Sequence, residues 1–281
     1  MTTTTMKTIA VFFDASLGGR RVLEIAARMA QEHGARLVAI CTVIDERPKA
    51  TESHVRSDAE VMRRHEHSVS IRVAQAVQML QLVSNRYGVA SDLRVVPEGA
   101  LREGYPVLSL YADLLVVGHP DTPGAPSAWS FNYTLRRGGI PMLLVPPTWE
   151  EPVIGRRIVV AWNSSPQARN ALKASLPLLA RAHVVDLVII DAEHPSGQRD
   201  EKPSADAALY LAQHGAEIEV HRISSQPRPI AEALIDHAVR NDADLLVFGA
   251  YDRANFREPV LGGVSRTLLG ASTPLPLFIL P

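Results

Sequence analysis

The chain is poor in several sequence features that would assign it directly to a class of protein. It contains one cysteine, Cys41, so an intrachain disulfide and a thiolate metal cluster are both excluded. Cys41 lies in an apolar run from Leu37 to Val43, and we expect a core residue rather than a reactive thiol. No apolar run approaches the roughly 20 residues of a membrane span. Residues 1–5 lack the basic and apolar regions of a signal peptide, so we expect a cytoplasmic protein with no membrane partner.

The net charge and the aromatic content of the chain are low as well. The formal net charge is -1, so the chain lacks the basic field that recruits nucleic acid. Aromatic residues make up only 5%, and the tryptophans are too scattered for a base-stacking platform. No P-loop of the form G-x-x-x-x-G-K-[ST] is present, and no G-x-S-x-G elbow surrounds Ser164 and Ser165. We therefore predict no catalytic residues and no nucleic-acid partner.

Neighbouring histidines in the first half raise the question of a metal site. His65 and His67 flank Glu66, and His54 lies nearby in the sequence. On a helix, positions two apart do not face each other, so His65 and His67 are poor co-ligands. We interpret them as part of a solvated helix face and predict no metal site.

The sequence does contain an internal repeat. Ala112 to Gly118 reads ADLLVVG, and Ala243 to Gly249 reads ADLLVFG. A hydrophobic run that ends in glycine is typical of a buried strand that meets a loop. Asp113 and Asp244 precede the two runs and are interpreted as helix-to-strand loop residues. In a chain of this length, such a repeat predicts two domains of ordinary size.

Strands and helices alternate in the same order in both halves. In the first half, a strand over Thr8–Phe13 is followed by helical spacing from Arg21 to His33, which Gly34 ends. This alternation predicts an α/β fold with two tandem, doubly wound, Rossmann-like domains of parallel strands in the order 3-2-1-4-5. We place the domains at residues 1–147 and 156–281, on either side of a linker rich in proline and charge.

The topology also predicts where a ligand would bind. In an open sheet of this order, ligands lie beyond the carboxyl ends of the strands, between strands one and four. This places Asp14 near Gly118 in the first half and Asn163 near Gly249 in the second. After Gly249, a glycine-bearing loop leads to a helical pattern from Val264 on. A strand, a glycine loop and a helix amino terminus can hold phosphate through backbone N–H groups and the helix dipole.

The spacing of the glycines resembles that of a known family. Gly249, then Asp252, then nine residues before Gly262 and Gly263 match the glycine pattern of the universal stress protein family. The text from Gly249 to Arg266 looks like the bacterial tandem-repeat members, and two such domains cover the whole chain. The resemblance implies a protein of the stress response, built from two domains of the adenine nucleotide alpha hydrolase-like fold.

The resemblance further implies a site for an adenine nucleotide, with ATP and Mg²⁺ as the expected ligands. In ATP-binding members, an aspartate at the end of strand one contacts the nucleotide, and the glycine loop surrounds the triphosphate. The residues of this chain at the matching positions are Asp14 and Gly118 in the first half and, in the second half, Asn163, Ser164, Gly249, Asp252, Arg253, Gly262, Gly263, Val264 and Ser265.

The second half departs from the family pattern at three of these positions. Asn163 replaces the aspartate and loses its charge, and Gly263 replaces a hydroxyl residue. Asp252 replaces the middle glycine and adds a negative charge beside the expected phosphates. Two like charges at ~4 Å near a protein surface repel by a few kcal/mol. A cation is needed to offset this repulsion, supplied either by an arginine such as Arg253 or by Mg²⁺ held at Asp252.

The first half departs further from the pattern. Asp14 is kept, but Asp121 stands at the second glycine position, and Phe131 and Asn132 stand at the two later ones. A phenylalanine is hard to accommodate where the backbone must approach a phosphate. The sequence therefore favours nucleotide binding in the second half, with weak ATP hydrolysis at most. Two other interpretations stay open: a scaffold or interaction module that has lost the nucleotide, and a metabolic enzyme on a related fold.

The last predicted strand of each half has an implied role in assembly. In the family, such closing strands pair antiparallel and join two domains. Met142–Val145 and Leu277–Leu280 are the corresponding strands here. Their pairing would give a pseudo-dimer within one chain and protect edges that would otherwise promote aggregation. A homodimer of such chains is the further expectation.

Overall fold

The computed structural model of the protein describes residues 5–43, 58–97, 111–119, 139–190, 201–250, 263–270 and 273–280. The chain divides into two units, Met6–Gly138 and Gly139–Pro281, which we call the first and the second unit. The domain limits of 1–147 and 156–281 remain predictions. No helix in the described part of the chain has both the length and the apolar character needed to cross a bilayer.

The described part of the first unit is a parallel sheet with helices. Its elements are, in chain order, β1 (Thr8–Phe13), α1 (Leu17–His33), β2 (Arg36–Val43), α2 (Asp58–Tyr87), β3 (Ser91–Pro97) and β4 (Leu114–Gly118). All neighbouring strands are parallel, and their order is β3-β2-β1-β4. This is the order predicted for the first four strands, so the α/β fold class is confirmed.

The second unit repeats the arrangement and completes it. Its elements are β5 (Met142–Val145), β6 (Arg157–Trp162), α3 (Pro166–Leu179), β7 (Val184–Ile190), α4 (Glu201–Gln213), β8 (Ile218–Ile223), α5 (Ile230–Arg240), β9 (Leu245–Gly249), α6 (Gly263–Gly270) and β10 (Leu277–Leu280). Five strands run parallel in the order β8-β7-β6-β9-β10. Counted from β6 as strand one, this is the predicted order 3-2-1-4-5.

Strand β5 pairs with the last strand of the chain. Leu144 lies opposite Leu277, and Met142 lies opposite Ile279, in antiparallel register. The predicted antiparallel pairing of these two strands is therefore confirmed. The sequence assigned β5 to the first half, whereas its contacts group it with the second unit.

Buried strands form the core of each unit. Ile9 and Ala10 of β1 and Leu245 and Leu246 of β9 are all fully buried, although successive residues of a strand point to opposite faces. A parallel sheet buries both faces because its crossover helices cover them, and this explains the near-continuous apolar runs.

Helix α1 begins earlier than its apolar spacing predicts. It starts at Leu17 rather than Arg21, and Ser16 is its N-cap. The Ser16 hydroxyl oxygen accepts a hydrogen bond from the Gly19 N–H at 3.0 Å, which satisfies one of the donors that a helix start leaves without a partner. At the other end, Gly34 adopts the left-handed conformation, as predicted from its position.

Candidate functional site

The end of strand β6 is shaped by two local hydrogen bonds. The side-chain oxygen of Asn163 accepts from the Ser165 N–H at 3.2 Å. The Ser165 hydroxyl oxygen accepts from the Ala168 N–H at 3.1 Å and caps helix α3, whose first turn carries Pro166. These bonds turn the chain sharply from the strand into the helix. Asn163 therefore has a structural role whether or not a ligand is bound.

Asp14 has the same role at the end of β1 in the first unit. Its Oδ1 accepts from the backbone N–H of Ser16 at 3.2 Å and also from the Ser16 hydroxyl. The amide at position 163 thus reproduces the turn that the carboxylate makes at position 14. Gly118 ends β4, which is the neighbour of β1, so the two predicted residues follow adjacent strands. Asp121, Phe131 and Asn132 lie outside the described residues.

A cavity of about 280 Å³ lies in the second unit at the carboxyl ends of β6, β7 and β9. Five of the predicted site residues line it: Asn163, Gly249, Gly263, Val264 and Ser265. Its position, beside the point where the strand order reverses, is the one expected for a ligand site in such a sheet. The predicted convergence of these residues on one crevice is thus present in the geometry.

The cavity lining contains both apolar and polar residues. Val188 and Ile190 of β7 and Ile230 and Leu234 of α5 are among the apolar ones. Asn163, Ser165, Gln167 and Ser265 are polar, and the amino terminus of α6 also borders the cavity. The first N–H groups of a helix have no partner within the helix and carry the positive end of its dipole. None of the described lining residues is charged.

Trp162 is a lining residue that the sequence did not identify. Its indole Nε1 is buried and has no hydrogen-bond partner among the described residues. A buried donor without a partner is uncommon in a folded protein and needs an explanation. Here a ligand atom or a water molecule in the cavity would supply the acceptor. The signal in the sequence was the position of Trp162 as the last residue of strand one, next to Asn163.

The two described glycines of the cavity differ in what surrounds them. A Cβ on Gly249 would lie 2.6 Å from both the Gln167 carbonyl oxygen and the Ala168 nitrogen, which are backbone atoms of α3. Gly249 is therefore required for the close packing of α3 against β9. A Cβ on Gly263 would meet no atom of the described residues within 4 Å. Gly263 opens onto the cavity, so packing does not explain its presence.

Four further predicted site residues of the second half do not line the cavity or cannot be placed. Ser164 is exposed, has a φ of 60° and is not one of the lining residues. The N-cap of α3 is Ser165, so Ser164 does not cap the helix. Asp252, Arg253 and Gly262 lie outside the described residues.

Asp113 and Asp244 have a more specific role than the predicted one. Asp244 accepts hydrogen bonds from the backbone N–H groups of Gly155, Arg156 and Arg157 at 2.8–3.2 Å. Burial raises the pKa of the Asp244 carboxyl, although these N–H groups oppose the shift. In the first unit, Asp113 accepts from two N–H groups at the start of β1, at 2.6 and 2.9 Å. Each aspartate therefore fixes the beginning of strand one beside strand four.

Comparisons with known proteins agree with this geometry. The model of the Universal stress protein family matches residues 155–279. The stress response protein NhaX of Bacillus subtilis (strain 168) is 30% identical over 115 residues, which cover 40% of this chain and 67% of that protein.

Solved structures share the fold over the whole chain. A universal stress protein from Archaeoglobus fulgidus DSM 4304 has a TM-score of 0.67 at 13% identity, and the match covers 97% of each chain. A protein of unknown function from Pseudomonas aeruginosa PAO1 has a TM-score of 0.58 at 17% identity and covers 98% of this chain and 92% of its own. At such low identities, these two likenesses concern the fold alone.

Proposed function

This chain belongs to the universal stress protein family, and on that premise we propose that it acts in a stress response by binding an adenine nucleotide, ATP, in the cavity of its second unit. The observation that carries the proposal is the meeting of Asn163, Gly249 and the amino terminus of α6 around one cavity. An α/β sheet of this order offers its ligand site at that place.

The apolar and the polar lining residues suit the two parts of a nucleotide. The apolar side chains of β7 and α5 form a surface on which an adenine ring can be buried. The N–H groups at the start of α6, together with the helix dipole, favour a phosphate. Gly263 adds no side chain between that helix and the cavity. Ser265, which is buried and lines the cavity, adds a hydroxyl group.

The charge of the phosphates has to be offset from outside the described lining, which is uncharged. We propose that Mg²⁺ bound with the nucleotide, and Arg253 of the glycine-bearing loop, supply this positive charge. Binding should therefore weaken when Mg²⁺ is removed. No turnover step is proposed, because the described lining residues contain neither an acid nor a base for proton transfer.

A second function keeps support from two observations. The oxygen of Asn163 is used within its own turn, and Gly249 is explained by helix packing. Both features would persist in a protein of this fold that serves as a scaffold or interaction module without a nucleotide. The two functions differ in one measurable property, which is the occupancy of the cavity.

The experiment that separates them begins with the purified protein. It is denatured, and the released nucleotides are separated by chromatography and quantified. A titration of the nucleotide-free protein with Mg²⁺–ATP then follows the fluorescence of Trp162, with the Trp162→Phe variant as the control for the signal. A saturable change that the variant lacks supports nucleotide binding. Neither released nucleotide nor a saturable change at millimolar ATP would favour the interaction module.

We also propose a cytoplasmic location and assembly through the paired strands β5 and β10. The pairing of β5 with β10 is internal to the second unit, and a pseudo-dimer of the two halves is our proposal. Further association into a homodimer is tested by light scattering at several protein concentrations. A molar mass that stays at 30.6 kDa throughout would contradict the homodimer.

A further inference from the structure

A cluster of ionisable side chains lies on β6, β7, β8 and α5 of the second unit, and none of its members lines the cavity. Its centre is Asp186 in β7, whose side chain is fully buried. Arg157, the first residue of β6, donates to both of its oxygens, with Nε 3.0 Å from Oδ2 and Nη2 2.9 Å from Oδ1. Arg157 also donates to Glu219 of β8 at 3.1 Å. A buried carboxylate with such partners is held in one orientation.

Two imidazoles approach the same carboxylate. The Nε2 atom of His221 in β8 is 3.3 Å from Asp186 Oδ1, and the Nε2 atom of His237 in α5 is 3.7 Å from Oδ2. The two rings lie 4.7 Å apart between centroids. Both Nε2 atoms are buried, and neither has a hydrogen-bond partner among the described residues. Two buried nitrogens without partners, turned toward one carboxylate, call for a common partner.

These distances fit a metal ion better than they fit hydrogen bonds. In a tetrahedral Zn²⁺ site with bonds of ~2.0–2.1 Å, neighbouring ligand atoms are roughly 3.3 Å apart. The two imidazole–carboxylate distances, 3.3 Å to Oδ1 and 3.7 Å to Oδ2 of Asp186, lie close to that value. One ligand atom from each of the three residues can be chosen so that all lie within 4.8 Å of one another. We propose that Asp186, His221 and His237 bind a divalent transition-metal ion of the Zn²⁺ type.

The remaining groups around the site agree with this assignment. Glu219 Oε2 is 3.5 Å from His221 Nε2 and can complete the ligand set. Arg157 orients the ligating carboxylate, as outer partners of metal ligands commonly do. Together Asp186, Glu219 and Arg157 leave one net negative charge to balance the dication. Imidazole and carboxylate are ligands that suit Zn²⁺ and its neighbours in the first transition row.

Access also favours a metal ion. The side chain of His221 is 28% exposed, so an ion can reach the cluster from solvent. The sequence prediction of no metal site considered only neighbouring histidines, whereas the topology of the sheet brings these three residues together.

The test is a titration of EDTA-treated protein with Zn²⁺ by calorimetry, in the absence of nucleotide. His221→Gln and His237→Gln remove one ligand each, and His214→Gln, an exposed histidine of the same unit, is the matched control. We expect one Zn²⁺ per chain in the wild type and in His214→Gln. The dissociation constant should rise at least ~10-fold in each ligand variant. Equal dissociation constants in all four proteins, or no stoichiometric binding in the wild type, would overturn the proposal.

A second measurement does not depend on the folding of any variant. Co²⁺ added to the wild-type protein should give the visible d–d bands of a four-coordinate nitrogen and oxygen site, and Zn²⁺ should remove them. A spectrum indistinguishable from that of Co²⁺ in buffer would count against the site. Because none of the cluster residues lines the cavity, a Gly263→Trp variant that blocks the cavity should bind Zn²⁺ as the wild type does. The metal site and the nucleotide site can thus fail independently.

Discussion

Replacing Gly249 or Gly263 by alanine should have opposite effects on stability, although both residues line the cavity. The Cβ of Gly249→Ala would lie 2.6 Å from two backbone atoms of α3, and ordinary van der Waals contact begins at 3.4 Å. Strand β9 and helix α3 would have to separate by roughly 1 Å. The Cβ of Gly263→Ala would meet none of the described residues within 4 Å and would stand in the first turn of α6.

The magnitudes follow from these two surroundings. Overpacking of a close-packed region costs about 1–3 kcal/mol, and a collision with backbone rather than with a flexible side chain belongs at the upper end. We therefore expect Gly249→Ala to lower the free energy of unfolding by about 3 kcal/mol. In Gly263→Ala, the gain in helix propensity should leave this energy unchanged or raise it by up to about 1 kcal/mol.

The assay is equilibrium unfolding in urea, followed by far-UV circular dichroism, for the wild type and both variants. The ligand-free protein is used, so that nucleotide does not contribute to the free energy. A Gly249→Ala protein within about 0.5 kcal/mol of the wild type would refute the argument that this glycine serves helix packing. A loss of several kcal/mol in Gly263→Ala would refute the argument that this position opens onto free space.

Three further predictions concern single positions. Asp244→Ala should lower the free energy of unfolding in urea by about 3 kcal/mol, because three backbone N–H groups lose their acceptor. A decrease below about 1 kcal/mol would contradict this role. Burial raises the pKa of Cys41 to about 11, so at pH 8 only about a thousandth is thiolate, and Ellman's reagent should react slowly until the protein is unfolded. Ser165→Ala should lower the free energy of unfolding by about 1 kcal/mol, because α3 loses its cap. Ser164→Gly should leave this energy unchanged or raise it in the same assay, because glycine readily adopts the φ of 60° found at position 164.

The order of strands was predictable because burial leaves a direct mark on the sequence. Each strand of a covered parallel sheet is an apolar run, and each helix between strands has its own period, so β1 and β6 are evident. The start of α1 was less evident. Gly19 lies in its first turns, where a Cβ would come within 2.7 Å of the Asp14 nitrogen, so a residue that usually disfavours a helix is required there.

The candidate site was predictable in part, for reasons that differ from residue to residue. Asn163 and Gly249 were placed by topology alone, since strands one and four must end side by side. Gly249 both lines the cavity and allows α3 to pack closely against β9. The second role was not predictable, because the approach of α3 depends on packing between elements distant in sequence. Asp186, His221 and His237 are separated along the chain, and their only signal was a charged residue inside the apolar run of β7.

The measurement that tests nucleotide binding most directly is titration calorimetry of the ligand-free protein with Mg²⁺–ATP. Gly263→Trp places a large side chain at the cavity, where the surrounding space is free, and Leu209→Trp adds the same side chain at an exposed position of α4. We predict one saturable site per chain in the wild type and in Leu209→Trp, and its loss in Gly263→Trp. No heat of binding at millimolar ATP, or binding that Gly263→Trp leaves unchanged, would contradict the assignment of the cavity.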